Sequence, residues 1–141
     1  MIAYLDTSAV VKLVVSEPGS DDAMRIWSAA RSVASSVLLY PEARAALKRA
    51  ARERRLTPPQ LRSATFAFER LWAQIARIGV TTALARRAGA LADEQDLRGY
   101  DAVHLASAEW LRSDELVFVA ADRELGAAAR RLGFVIARLP G

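Results

Sequence analysis

The chain reads as an α/β protein in which a parallel sheet is covered by helices on both faces. Three observations predict this class. Short apolar runs alternate along the sequence with amphipathic helical stretches. Two aspartates, Asp6 and Asp122, directly follow such runs. At 141 residues the chain is the size of one domain with a single sizeable core. In an open α/β sheet the crevice outside the carboxyl ends of the strands gathers the functional groups, so acids at strand ends are the first candidates for chemistry.

Residues 2–5 (Ile-Ala-Tyr-Leu) form the first strand, and Thr7 and Ser8 supply hydroxyl caps for a helix over roughly 9–15. Glu17-Pro18-Gly19-Ser20 breaks that helix. Asp21 and Asp22 then put negative charge into the first turn of the next, which holds Met24, Ile26 and Trp27. Val33–Ser36 is a second short strand. Pro41 fits the first turn of a long helix with Ala43, Ala46, Leu47 and Ala50 on one face and Arg44, Lys48, Arg52 and Arg55 around the others, and Thr57-Pro58-Pro59 ends it. Leu61, Ala64, Phe68, Leu71, Trp72, Ile75 and Ile78 recur at helical spacing and predict a helix over roughly 60–78. Phe66 falls on its opposite face, either as a lone exposed aromatic or as part of a protein contact. After Gly79-Val80-Thr81 an alanine-rich helix runs to about Gln95, and Leu97-Arg98-Gly99 connects it to a helix from about Tyr100 to Arg112. Leu116–Ala120 is the clearest strand. Asp122, a helix to Leu132, Gly133 as its stop and a last strand over Phe134–Ala137 follow. There is no internal repeat and no low-complexity linker, so residues 1–141 are expected to form one domain.

Composition narrows the chemistry. With no cysteine, disulfides, thiolate zinc sites and cysteine nucleophiles are excluded, which fits a reducing compartment. The longest early apolar stretch, Ala9–Val15, is interrupted by Lys12, so no signal peptide or membrane span is expected. The net charge is +4, carried almost wholly by arginine, since Lys12 and Lys48 are the only lysines. If several acids are buried together, the remaining surface is more basic than the total, which favours a polyanionic partner.

Four acids stand out. Asp6 and Asp122 share a context, just after a strand, where an aspartate is either a helix cap or a ligand at the sheet's carboxyl edge. Two such acids in one small sheet point toward function. Glu42 by itself is explained by the macrodipole of the helix it opens. Asp101 begins an unusually apolar helix (Ala102, Val103, Leu105, Ala106, Ala108), so its carboxylate needs a partner, and none of the next ten residues is a lysine or arginine. Two carboxylates about 4 Å apart repel by roughly 4 kcal/mol at an effective dielectric of about 20, so a cluster of them binds protons or cations. Oxygen ligands of this kind suit magnesium or manganese.

Taken together, Leu5-Asp6-Thr7-Ser8-Ala9, Glu42 opening a long helix, Arg98-Gly99-Tyr100-Asp101-Ala102-Val103-His104-Leu105-Ala106-Ser107-Ala108 and Val119-Ala120-Ala121-Asp122 resemble a PIN domain, in particular the toxins of VapC-type toxin–antitoxin pairs. The resemblance covers the whole chain, and Tyr-Asp-Ala-Val-His-Leu-Ala is its most specific segment. It implies a three-layer α/β/α sandwich with a short, mainly parallel central sheet of four to five strands. It also implies a cytoplasmic, Mg2+-dependent endoribonuclease, with Mn2+ as substitute, whose catalytic and metal-binding quartet is Asp6, Glu42, Asp101 and Asp122. Water attacks the phosphodiester in line and leaves 5′-phosphate and 3′-hydroxyl ends. A cognate antitoxin that presents a basic side chain to the acidic site, and homodimerisation, are further implications. Phe66, Trp72 and the two early helices up to Ala30 are candidate contact surfaces.

The family often has threonine or serine two residues before the last acid, where this chain has Ala120; Ser8 or Asp96 is then the candidate accessory group. His104, one turn after Asp101, reads as a packed, hydrogen-bonded histidine. Substrate phosphates are expected to meet arginines and lysines on the rim, with Arg44, Lys48 and Arg98 as candidates. The alternatives fit less well. A phosphatase of the haloacid dehalogenase type wants a second aspartate where Ser8 stands, a receiver domain wants an acidic pair at its first strand end, and a larger DNA-processing nuclease needs elements this chain has no room for. A non-catalytic PIN-like scaffold that binds RNA or protein is the alternative: the retained quartet argues against it, while Ala120 keeps it open.

Overall fold

The computed structural model describes all 141 residues. The elements are β1 (Ile2–Leu5), α1 (Thr7–Val14), α2 (Ser20–Ala29), β2 (Ser32–Ser36), α3 (Leu39–Arg52), α4 (Pro58–Trp72), β3 (Ala76–Ile78), α5 (Thr82–Gln95), α6 (Gly99–Trp110), β4 (Leu116–Ala120), α7 (Arg123–Arg131) and β5 (Val135–Arg138). The strands form one sheet in the order β3-β2-β1-β4-β5. Every pairing is parallel.

Because successive strand side chains point to opposite faces, the sheet carries two cores. Tyr4, Ala34, Phe118 and Ala120 face one way, onto buried residues of α5, α6 and α7 such as Leu91, Leu105 and Leu125. Ala3, Leu5, Val33 and Val119 face the other way, onto α1–α4 through Val10, Leu47 and Phe68. This is the predicted three-layer α/β/α sandwich. The chain leaves β1 for β2 and β3 on one side and returns to add β4 and β5 on the other. Neighbouring β1 and β4 therefore form the switch point where a crevice opens beyond the strand ends.

Several boundaries differ from the sequence reading. The segment expected as one helix over 60–78 is α4, which stops at Trp72, followed by the short edge strand β3. Ile75 and Ile78 continue the helical spacing by coincidence; Ala76–Ile78 is recruited by pairing with Ala34–Ser36, a non-local bond that no local pattern shows. Helix α3 starts two residues before Pro41, and Thr57-Pro58-Pro59 opens α4 through a capping box with Gln60 instead of closing α3. Helix α1 starts at Thr7, and its cap is the Asp6 side chain, not the hydroxyls of Thr7 and Ser8. The last strand is Val135–Arg138, one residue later than expected. Gly133, at φ +88°, ends α7 as predicted. Trp72 is not a free surface but packs against Tyr40 and Phe68, whereas Phe66 is 67% exposed. Lys12, which interrupts the first apolar stretch, is buried with its ammonium on the Pro18 carbonyl (2.7 Å) and Glu17 (3.2 Å). No helix is long and apolar enough to cross a membrane.

Candidate active site

Each of the four predicted acids arrives at the carboxyl edge of the sheet for a local reason. Asp6 and Asp122 leave β1 and β4 in extended conformation and cap α1 and α7, accepting from the backbone N–H groups of Ala9 and Leu125, both at 2.9 Å. Glu42 lies in the first turn of α3 and Asp101 in the first turn of α6. For Asp6 and Asp122, capping and placement at the crevice are thus one arrangement, since each carboxylate ends a strand and starts a helix beside the switch point.

Asp6 is the most deeply placed, at 3% exposure. Ser8 Oγ lies 2.7 and 2.9 Å from its two carboxylate oxygens and accepts from the N–H of Ala121 at 3.1 Å, tying α1 to the loop after β4. Desolvation pushes the Asp6 carboxyl up to about 6, and the Asp122 charge adds to this, against the opposing effects of His104, Ser8 and the Ala9 N–H. The carboxyl of Asp101 is also raised by desolvation, which the guanidinium of Arg98 counters. Glu42 Oε1 accepts from Thr7 Oγ1 at 2.8 Å and lies 2.8 Å from His104 Nε2.

Arg98 answers the question of a partner for Asp101. The sequence reading looked only forward along α6, but the partner precedes the acid by three residues. Its Nε meets Asp101 Oδ2 at 3.1 Å, its Nη2 meets Asp122 Oδ2 at 3.4 Å, and its guanidinium lies over the Tyr100 ring at 5.1 Å. Three or more acidic or histidine side chains nowhere draw together into a closed ligand group. Asp101 and Asp122 are instead bridged by Arg98, while Asp6 and Glu42 are each held by their own donors, Ser8 and the Ala9 N–H for the one and Thr7 and His104 for the other. The donor set is all oxygen, and burial and mutual repulsion hold two of its carboxyls above their usual range. That chemistry fits a hard divalent cation.

The remaining candidates separate. Ser8 is inside the hydrogen-bonded network. Asp96 is exposed at the end of α5, in left-handed conformation (φ 54°). Ala120 is fully buried in the core beneath α6 and α7, so the polar link to the loop after β4 is made by Ser8 in the first turn of α1. Arg44 is turned toward α4, on Tyr40 (2.8 Å) and Glu69 (3.2 Å), while Lys48 is exposed. Thr7 and Tyr4 were missed by the sequence reading, and both contact His104. The signal for Thr7 was its place beside Asp6; Tyr4 gave none, because its partner is a hundred residues away.

Comparison with known proteins places this geometry among relatives. The family model described as "PIN domain" matches residues 3–131. Ribonuclease VapC45 of Mycobacterium tuberculosis is 41% identical over 136 residues, covering 96% of this chain and 94% of that protein. The crystal structure of Mycobacterium tuberculosis VapC20, described as a sarcin–ricin loop cleaving toxin, superposes with a TM-score of 0.70 at 24% identity, covering 94% of this chain and 96% of the other. A toxin–antitoxin complex from Klebsiella pneumoniae superposes at 0.62 with 21% identity, covering 85% and 86%.

Proposed function

This chain belongs to the PIN domain family, and from that premise we propose that it is an endoribonuclease toxin that hydrolyses RNA phosphodiester bonds with Mg2+ or Mn2+ and is silenced by a cognate antitoxin. The observation that carries the reading is that Asp6 and Asp122 cap the helices leaving the neighbouring strands β1 and β4, with Arg98 joining Asp122 to Asp101 there, and Glu42 opens the helix after β2. Its support is the kinship to a named ribonuclease over nearly the whole of both chains.

Asp6, Asp101 and Asp122 would hold the divalent ion, with Glu42 as a further ligand or as the group that orients the attacking water. When bound, the ion supplies charge for the phosphodiester oxygens and lowers the pKa of water. The protein's part is positional. Ser8 and the Ala9 N–H fix Asp6, Thr7 and His104 fix Glu42, and the helix starts of α1 and α7 set the spacing between strand ends. In-line attack by water gives 5′-phosphate and 3′-hydroxyl ends. On the rim, Lys48 and Arg49 are exposed, and Arg49, seven residues after Glu42, shares its side of α3; these side chains, with Arg98 once it leaves the acids, meet the substrate phosphates. Such a substrate, together with a cysteine-free composition, fits action in the cytoplasm.

The test is RNA cleavage by the purified protein, stripped of any co-purifying partner, with and without Mg2+ or Mn2+, beside Asp6→Asn and Asp101→Asn. The expected result is cleavage that needs the ion and falls by about a thousandfold in each variant, the equivalent of losing about 4 kcal/mol of transition-state stabilisation. Cyclic 2′,3′-phosphate products would overturn hydrolysis by water, and undiminished cleavage in both variants would overturn the site.

A further inference from the structure

The acids leave one buried titratable group unaccounted for, the only histidine in the chain. His104 is 1% exposed on α6. Its Nδ1 lies 2.9 Å from the hydroxyl of Tyr4, and its Nε2 lies 2.8 Å from Glu42 Oε1 and 3.2 Å from Thr7 Oγ1. Tyr4 is fully buried, stacked on Phe118 with ring centroids 5.4 Å apart and meeting the imidazole edge-on at 5.9 Å. Neither ring has room to turn.

The hydrogens follow from the donor and acceptor inventory. A carboxylate only accepts, so Nε2 carries a proton toward Glu42. In the tautomer with its one proton on Nε2 the ring has a lone pair at Nδ1, 2.9 Å from the Tyr4 hydroxyl, which donates into it. Thr7 Oγ1 donates to the same Glu42 oxygen, at 2.8 Å. Oε1 is thus held by two donors, while Oε2 makes no hydrogen bond within the protein.

We propose that Tyr4 and His104 form a directed positioning relay, running from a strand in the core to the site, that clamps Glu42 by Oε1 and leaves Oε2 as the oxygen presented to the divalent ion and water. Tyr4 and His104 touch neither ion nor substrate; they act through Glu42. A ring bonded at Nε2 alone could tilt about its bonds, and the carboxylate it holds would then lose its orientation.

The test begins without metal. Since there is one histidine, the imidazole 15N spectrum contains only His104, and it should show the neutral form protonated at Nε2. A proton on Nδ1, alone or as the imidazolium, overturns the relay, because Tyr4 would then have to accept. The second arm, which rests on the function proposed above, is Mn2+ binding by calorimetry to the wild type and to Tyr4→Phe, which keeps the ring packing. In this variant Nδ1 loses its hydrogen bond, so its 15N resonance should move toward that of an unbonded ring nitrogen, and Mn2+ affinity should fall about tenfold, within the range for groups that orient a ligand. An unmoved Nδ1 resonance with unchanged affinity in Tyr4→Phe would overturn the relay. If the wild type binds no Mn2+, the metal reading of the site falls, and the Nδ1 resonances of the two proteins alone decide the relay.

Discussion

Asp6 and Glu42 are held by buried and half-buried donors of the fold, whereas Asp101 and Asp122 share a guanidinium that is itself 63% exposed. On the first side the donors are a serine, a threonine, a backbone N–H and a histidine locked by a tyrosine; none can leave without local unfolding. On the second side the neutralising group is a long side chain at the start of α6, free to swing into solvent. One half of the site is therefore preorganised at the expense of a desolvated carboxyl, and the other half carries a removable positive charge where a cation or a phosphate is expected. The two halves should respond differently to mutation, pH and salt.

The largest difference is expected at Asp6. With its folded value raised to about 6 by desolvation, this carboxyl holds its proton more tightly in the folded chain than in the unfolded one. Its contribution to stability is therefore fully present below the ordinary aspartate value and is lost as pH rises through about 6. In metal-free protein that loss is worth roughly 3 kcal/mol. Asp6→Asn retains a capping side chain. The variant should thus be more stable than wild type in urea at pH 8, by up to about that amount, while losing cleavage activity, and the two proteins should converge near pH 4. Identical pH profiles for the two proteins would show that the buried half is not strained by charge. Mg2+ should stabilise the wild type at pH 8 and leave the variant nearly unmoved.

The same contrast explains what the sequence disclosed. The preorganised half was legible in its acids, Asp6 through the local strand-then-acid pattern and Glu42 only through the family resemblance, since its first-turn position alone is explained by the macrodipole. Its supports were not. Ser8 reaches Ala121 and His104 reaches Tyr4 across about a hundred residues; the parallel pairing of β1 with β4 brings the first pair together, and the packing of α6 on the sheet brings the second. Strand β3 escaped for a related reason, since three residues have too short a period to separate strand from helix until β2 supplies the partner. Arg98 was visible as a charge but not as the partner of Asp101, because a buried carboxylate at a helix start can be answered from the turn before it.

A smaller effect, still on the buried side, is expected at Ser8. Removing its hydroxyl takes one donor from Asp6 and leaves the Ala121 N–H without its acceptor. Ser8→Ala should cost about 1–2 kcal/mol in denaturant unfolding, the usual consequence of stranding a partly buried donor. It should also raise the Asp6 carboxyl further, since the Ser8 hydrogen bond is one of the effects holding it down. A 13C titration of the Asp6 carboxyl would record that direction. Wild-type stability with an unmoved titration would mean that Ser8 is ornamental and that the link from α1 to the loop after β4 is made by packing alone.

The smallest effect on stability, with opposite signs for metal and for substrate, is expected from Arg98→Ala. An exposed ion pair is worth about 0.2–1 kcal/mol, so the fold should be nearly indifferent to its loss. For a divalent ion, however, Arg98 is a competitor tethered to two of the ligands, and its removal should tighten Mn2+ binding about two- to fivefold at low ionic strength. The gain should shrink as salt screens the guanidinium from Asp101 and Asp122. For RNA the sign reverses. Once displaced by the ion, Arg98 becomes a rim cation, so the variant should bind metal better and substrate worse, with KM rising more than kcat falls. Calorimetry and cleavage kinetics on one preparation separate these two roles. If metal affinity and KM both stay at wild-type values, the guanidinium is a bystander, and the exposed half of the site is neutralised by solvent ions instead.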